Sequence, residues 1–139
     1  MSTRLVTFTL DDRSYGIDVA SVQEVLRGLP RTRIPLAPSA LAGLINLRGQ
    51  VLTAIDLREQ LALPARTAGR DPMLIVIRVE GEPLALLVDT IGSVVDVEDD
   101  QFEPPPDTLN GPTRHLIRGA YKLDDRLLLS LDVHRAIAA

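Results

Sequence analysis

Two stretches of the chain repeat one another without a gap. GLINLRGQVLTAIDLREQL, residues 43–61, lies on GAYKLDDRLLLSLDVHRAI, residues 119–137. Gly43, Leu47, Leu52 and Asp56 meet Gly119, Leu123, Leu128 and Asp132. Upstream, LVTFTLDDRSYGIDVASVQEV, residues 5–25, has the apolar rhythm of LIVIRVEGEPLALLVDTIGSV, residues 74–94. A unit repeated at this length packs on its copy to bury a shared core. The 139 residues therefore read as one domain made of two intertwined, pseudo-equivalent halves, about 1–63 and 72–139. The polar connector PARTAGRDP, residues 64–72, joins them.

The pattern within each half is that of strands. Val6, Phe8 and Leu10 alternate with Leu5, Thr7 and Thr9, the period of two that a strand imposes. Asp11 to Ser14 make a polar turn, and YGIDV returns as a second strand. Asp18 is placed to cap a short helix. Val19, Val22, Val25 and Leu26 follow at helical spacing, ended by Gly28 and Pro30. RTRIP reads as extended, because Pro35 disfavours α geometry at Ile34. PSALA, residues 38–42, reads as a helical turn. GLINLRGQVLTAI is then a hairpin, and Asp56, with Glu59 three residues on, caps a helix stopped by Pro64.

The second half repeats the order. MLIVIRV, LALLV and TIGSVVDV are strands, residues 99–114 a long irregular loop, and HLIRGAYKL with RLLLSL a hairpin before a last helix capped by Asp132. Many short strands with few helices point to a mainly β protein of small barrels, which remove sheet edges by closure.

At the matched hairpin tips the halves differ. The second half has Asp124-Asp125, an ordinary turn pair, where the first has Arg48-Gly49. Gly49 suits the positive φ that such turns need, and Gly43 allows a bulge or a close backbone approach. Arg48 is either a solvated turn residue or a positioned one. The stripe of Val19, Val22 and Val25 is either core or a surface for a partner.

Composition removes several function classes. Without cysteine there is no disulfide, thiolate metal site or cysteine nucleophile. Fifteen basic residues against nineteen acidic ones leave a net charge of −4. With only Phe8, Tyr15, Phe102 and Tyr121 aromatic, this weighs against a small-barrel nucleic-acid binder, which needs a basic face and stacking rings. The pairs Asp11-Asp12, Asp99-Asp100 and Asp124-Asp125 sit in turns, where Asp is common for its local hydrogen bonds. His115 and His134 lack metal-ligand spacing. The sequence contains no phosphate-binding glycine loop, nucleophile elbow or HExxH. MSTRLVTFTL lacks a signal-peptide pattern, and no apolar run is long enough to span a bilayer, so a cytoplasmic protein is expected.

YGIDVASVQEV, GLINLRGQVLTAIDLR and LLVDTIGSVVDV together resemble the CheW family of chemotaxis scaffolds, from about Arg4 to Ile137. The GLINLRG segment with its following DLR is the most specific part. The resemblance implies two five-stranded SH3-like β-barrels over a shared apolar seam. It implies no enzymatic activity, cofactor or metal. The implied partners are the histidine kinase CheA, through its regulatory domain, and the cytoplasmic hairpin tips of chemoreceptors. Neither nucleic acid nor direct membrane insertion is implied, and the protein would reach the membrane only by recruitment to receptor arrays. Carried onto this sequence, the receptor groove would include Val19, Val22, Val25, Met73, Leu84, Ala85 and Ile91. Glu24 and Arg48 match positions that pair near that groove. Gly92 and Ser93 depart from a more polar pair common in relatives. A scaffold of a non-flagellar chemosensory pathway is the nearest alternative.

Overall fold

A computed structural model describes residues 2–27, 41–64, 72–109 and 111–137. The expected helix end at Gly28 and Pro30, the extended RTRIP piece, most of PSALA and most of the connector lie outside these residues. Within them the first half forms β1 (Ser2–Leu10), β2 (Arg13–Asp18), β3 (Val22–Arg27), β4 (Leu41–Leu47), β5 (Gln50–Asp56) and a one-turn α1 (Leu57–Gln60). The second forms β6 (Met73–Val79), β7 (Glu82–Val88), β8 (Thr90–Glu98), β9 (Phe102–Glu103), α2 (Gly111–Leu116), β10 (Ile117–Lys122), β11 (Leu127–Leu131) and α3 (Val133–Ile137).

The protein is mainly β. The described strands form a six-stranded sheet, β8-β1-β2-β11-β10-β9, and a five-stranded sheet, β3-β6-β7-β5-β4. The two halves exchange strands. Hairpin β1–β2 of the first half lies between β8 and β11 of the second, and hairpin β6–β7 of the second lies between β3 and β5 of the first. Each hairpin is joined to the other half by one antiparallel and one parallel pairing, the parallel ones setting Tyr15 opposite Leu129 and Leu84 opposite Thr53. Those residues occupy matched places in the repeat.

Strand exchange explains why alternation is blurred in β1. Leu5, Val6, Thr7 and Phe8 are all buried, so both faces of the strand are covered. Phe8 and Leu10 point into a large core between the sheets, with Tyr15, Ile17, Ile75, Ile77, Leu86, Leu129 and Leu131. Leu5 belongs to a smaller cluster with Val97, Tyr121 and Leu128 on the concave side of its own sheet. The matched positions of the other sheet, Leu74, Ile45 and Leu52, fall in the corresponding clusters there. A sheet that curls over its own small core while packing on a second sheet buries its central strands on both faces.

Two expectations need correction. The stripe from Val19 to Leu26 is not a helix: one 3-10 turn at Val19–Ser21, capped by the Asp18 carboxylate accepting from the Ala20 N–H at 2.9 Å, leads straight into β3. Val22, Glu24 and Leu26 are more buried and Gln23, Val25 and Arg27 are exposed, in a strand paired with β6 whose register shift between Val22 and Glu24 turns Val22 to the main core and Leu26 to the small clusters. Apolar residues three apart satisfied a helical reading, but pairing with β6 decides the geometry. The loop at 99–114 is also not wholly irregular. It holds a 3-10 turn at Asp99–Gln101, then β9, and it ends in α2, which takes His115 and Leu116 out of the expected strand. By contrast Asp56 caps α1 as expected, accepting from the Arg58 N–H at 2.9 Å.

Candidate functional site

The β4–β5 hairpin closes on Arg48 and Gly49, with φ of 51° and 87°. Two successive positive φ values are the signature of the tight turn that matches strand twist. The Gly49 N–H donates to the Asn46 side-chain oxygen at 3.0 Å. For arginine the left-handed conformation costs about 1–2 kcal/mol. It throws the side chain sideways, and the guanidinium donates to the carboxylate of Glu24.

That ion pair has a geometric consequence. Glu24 is on β3 and Arg48 leaves β4, the two opposite edges of the five-stranded sheet. The pair therefore bridges the sheet edge to edge. Leu26, next inward-facing residue on β3, packs beneath it on the clusters containing Ile45, Leu47 and Leu52. Arg48 remains 67% exposed, so the pair contributes only ~0–1 kcal/mol to stability.

The groove candidates separate into groups. Val22 pairs with Ile77, which pairs with Leu84, making one row across three strands. Met73, four residues along β6 from Ile77 and so about 13 Å away, meets Ile91, whose N–H points at the Met73 sulfur at 3.3 Å. Val22, Leu84, Met73 and Ile91 are partly buried against the main core, to which Ile77 belongs. Val19 and Val25 are 38% and 45% exposed, with Val25 on the outward face of edge strand β3. Ala85 is fully buried inside the curled sheet, beside Ile45, Ala54, Leu74 and Leu87. It cannot line a groove, because it follows Leu84 in β7 and faces the opposite side. Gly43 (φ 136°) sits at a register shift in β4–β5 pairing, which is the bulge its sequence position allowed.

One residue escaped the sequence reading. Arg58 on α1 is a charged side chain only 7% exposed. Its Nε and Nη2 donate to both oxygens of Asp89, Nη2 also to Asp11, and Nη1 to the Pro64 carbonyl at 2.7 Å. The Asp89 hydrogen bond raises the guanidinium pKa above its ordinary value although burial opposes this. An arginine two residues after a helix cap looks like a solvated surface residue. The available signals were its mismatch with His134 in the repeat and its place in the DLR that follows GLINLRG. Among the described residues no group of His, Asp or Glu is arranged to hold a metal ion, and no helix is long and apolar enough to cross a membrane.

Residues 4–139 match the CheW-like domain. The chain is 32% identical over 130 residues to the probable chemotaxis protein CheW of Rhizobium etli, covering 93% of this chain and 83% of that one. It is 29% identical over 140 residues to the chemotaxis protein CheW of Treponema pallidum, covering 98% and 82%. The crystal structure of the scaffolding protein TtCheW from Thermoanaerobacter tengcongensis is similar over 100% of this chain and 94% of that one, with a TM-score of 0.89 and 29% identity. A matched domain spanning nearly the whole chain, on the same two-sheet architecture, places this protein in the CheW family.

Proposed function

We propose that the chain is a non-enzymatic adaptor that couples the cytoplasmic hairpin tips of chemoreceptors to the regulatory domain of the histidine kinase CheA. The observation that carries the reading is the rim at β3. There Val25 stands exposed on the outward face of edge strand β3, and at the rim beside it the exposed Arg48 reaches the partly buried Glu24 from the other face. Apolar side chains left in water beside a fixed charge pair suit a protein partner, and an amphipathic helix docks on such a surface by its apolar face. Val19, Val22, Met73, Leu84 and Ile91 extend the surface on both sides. Membership of a chemotaxis family and the structural likeness to a scaffolding protein support the same reading. In this account the protein works in the cytoplasm and reaches the membrane through its receptors.

Co-sedimentation with receptor-containing membranes, with and without CheA, tests the proposal. The protein pellets with the membranes and increases the kinase recovered there. A protein that stays in the supernatant, and leaves kinase recovery unchanged, contradicts it.

A further inference from the structure

Arg58 sits where three segments converge. Asp89 is the single residue between β7 of the five-stranded sheet and β8 of the six-stranded one. Asp11 is the first turn residue between β1 and β2, held at a positive φ of 54°. Its N–H donates to Asp89 at 3.0 Å, and the Asp89 N–H donates to the Thr9 carbonyl at 3.2 Å. Arg58 grips both carboxylates and the Pro64 carbonyl at the end of the described part of the first half. A planar fork closing on a carboxylate fixes direction as well as distance, which a lysine ammonium does not.

The repeat shows that the fold does not require this arrangement. The positions matched to Arg58, Asp89 and Asp11 are His134, Ala20 and Glu80. The crossover from β2 to β3 is made instead by the 3-10 turn that Asp18 caps. One crossover is clamped by a buried arginine, and its counterpart is capped locally.

The clamped crossover leads within two residues to Ile91, and Ile91 meets Met73. Val22 and Leu84 lie at the other end of β6. We propose that Arg58 is a positioning residue: by holding Asp89 and Asp11 together it sets the path of the chain into β8, and so places Ile91 against Met73 at one end of the partner surface. This rests on the adaptor reading above for its functional meaning. It does not rest on that reading for its geometry.

The test uses the full-length chain with methyl-labelled Met, Ile, Leu and Val, free in solution, as wild type, Arg58→Gln and Asp89→Asn. Asp89→Asn keeps the shape of the side chain, so a folded variant remains available if Arg58→Gln does not fold. In both, the Met73–Ile91 methyl cross-peak weakens and those two resonances move, while Val22 and Leu84 stay in place. Affinity for a soluble receptor cytoplasmic fragment falls about tenfold. Unmoved Met73 and Ile91 signals overturn the proposal. So does a shift spread equally over Val22 and Leu84, which is general loosening, and so does unchanged affinity in a variant whose Met73–Ile91 contact is lost. If the wild-type protein itself ignores the receptor fragment, the adaptor reading fails, and the spectra of the free protein still decide whether Arg58 positions Ile91.

Discussion

The six-stranded and five-stranded sheets are built to one plan and finished differently at the same place. In the six-stranded sheet the open edge at β10 is covered by β9. Phe102 packs edge-on against Tyr121 at 5.1 Å, and Glu103 pairs with Lys122 at 3.2 Å. In the five-stranded sheet the edges are joined by Glu24 and Arg48. The positions matched to those two residues are Ser93 and Asp124, which cannot form the pair. One sheet is closed mainly by covered backbone and aromatic packing, the other by an exposed charge pair that adds little stability. We propose that a device costly in backbone strain, weak in stability and found on one side only serves what it presents to a partner rather than what it holds together.

The largest test of the comparison separates the halves. Because each sheet takes strands from both, we propose that residues 1–63 and 72–139 form one cooperative unit. Each fragment alone gives no cooperative thermal transition, and mixing the two restores one. A fragment that melts cooperatively by itself would show that strand exchange is not what holds the fold.

Next in size is the glycine that admits β9. A Cβ on Gly119 would lie 2.3 Å from the Phe102 ring and 2.5 Å from the Glu103 carbonyl. Gly119→Val destabilises by about 3 kcal/mol, read by chemical denaturation, and detaches β9, read as faster amide exchange at Glu103. A loss below about 1 kcal/mol would mean that β9 contributes little to closing that sheet.

A smaller effect belongs to the bulge in β8. Thr7 donates its hydroxyl to the Ser93 carbonyl, and a Cβ at Gly92 would come 2.6 Å from that hydroxyl oxygen. Gly92→Ala costs about 1–2 kcal/mol, and in a Thr7→Ala background it costs less than half of that. The matched positions in the other sheet, Gln23 and Val76, hold a full side chain opposite a residue with no hydroxyl. Strictly additive losses would show that Thr7 and Gly92 do not constrain each other.

The sequence made most of the strands, though not β3 or β9, the two hairpin tips and the Asp56 cap readable. The halves were read as intertwined, but the strand pairings were not readable, since the apolar residues of β1 and β6 say which side chains face a core and not which hairpin borders which. The same degeneracy misled the reading of Val19 to Leu26, where apolar residues three apart fit a helix and a strand alike until pairing with β6 settles the matter. Ala85 was placed in the groove with Leu84 through the family resemblance, although successive strand residues face opposite sides and Ala85 is fully buried. The role of Arg58 was invisible, although it stands in the DLR of the family motif, because its partners are two carboxylates 47 and 31 residues distant in sequence. Glu24 and Arg48 were paired through the family motif, and the fold explains why that pairing spans two sheet edges.

The smallest expected change in stability carries the central claim. Arg48→Ala is compared with wild type by thermal melting and by titration against the receptor cytoplasmic fragment and the CheA regulatory domain. The account predicts a stability change below about 1 kcal/mol together with an affinity for at least one partner weakened about tenfold. Unchanged affinity for both partners, with several degrees lost in melting temperature, would contradict it and return Arg48 to the role of a structural clasp.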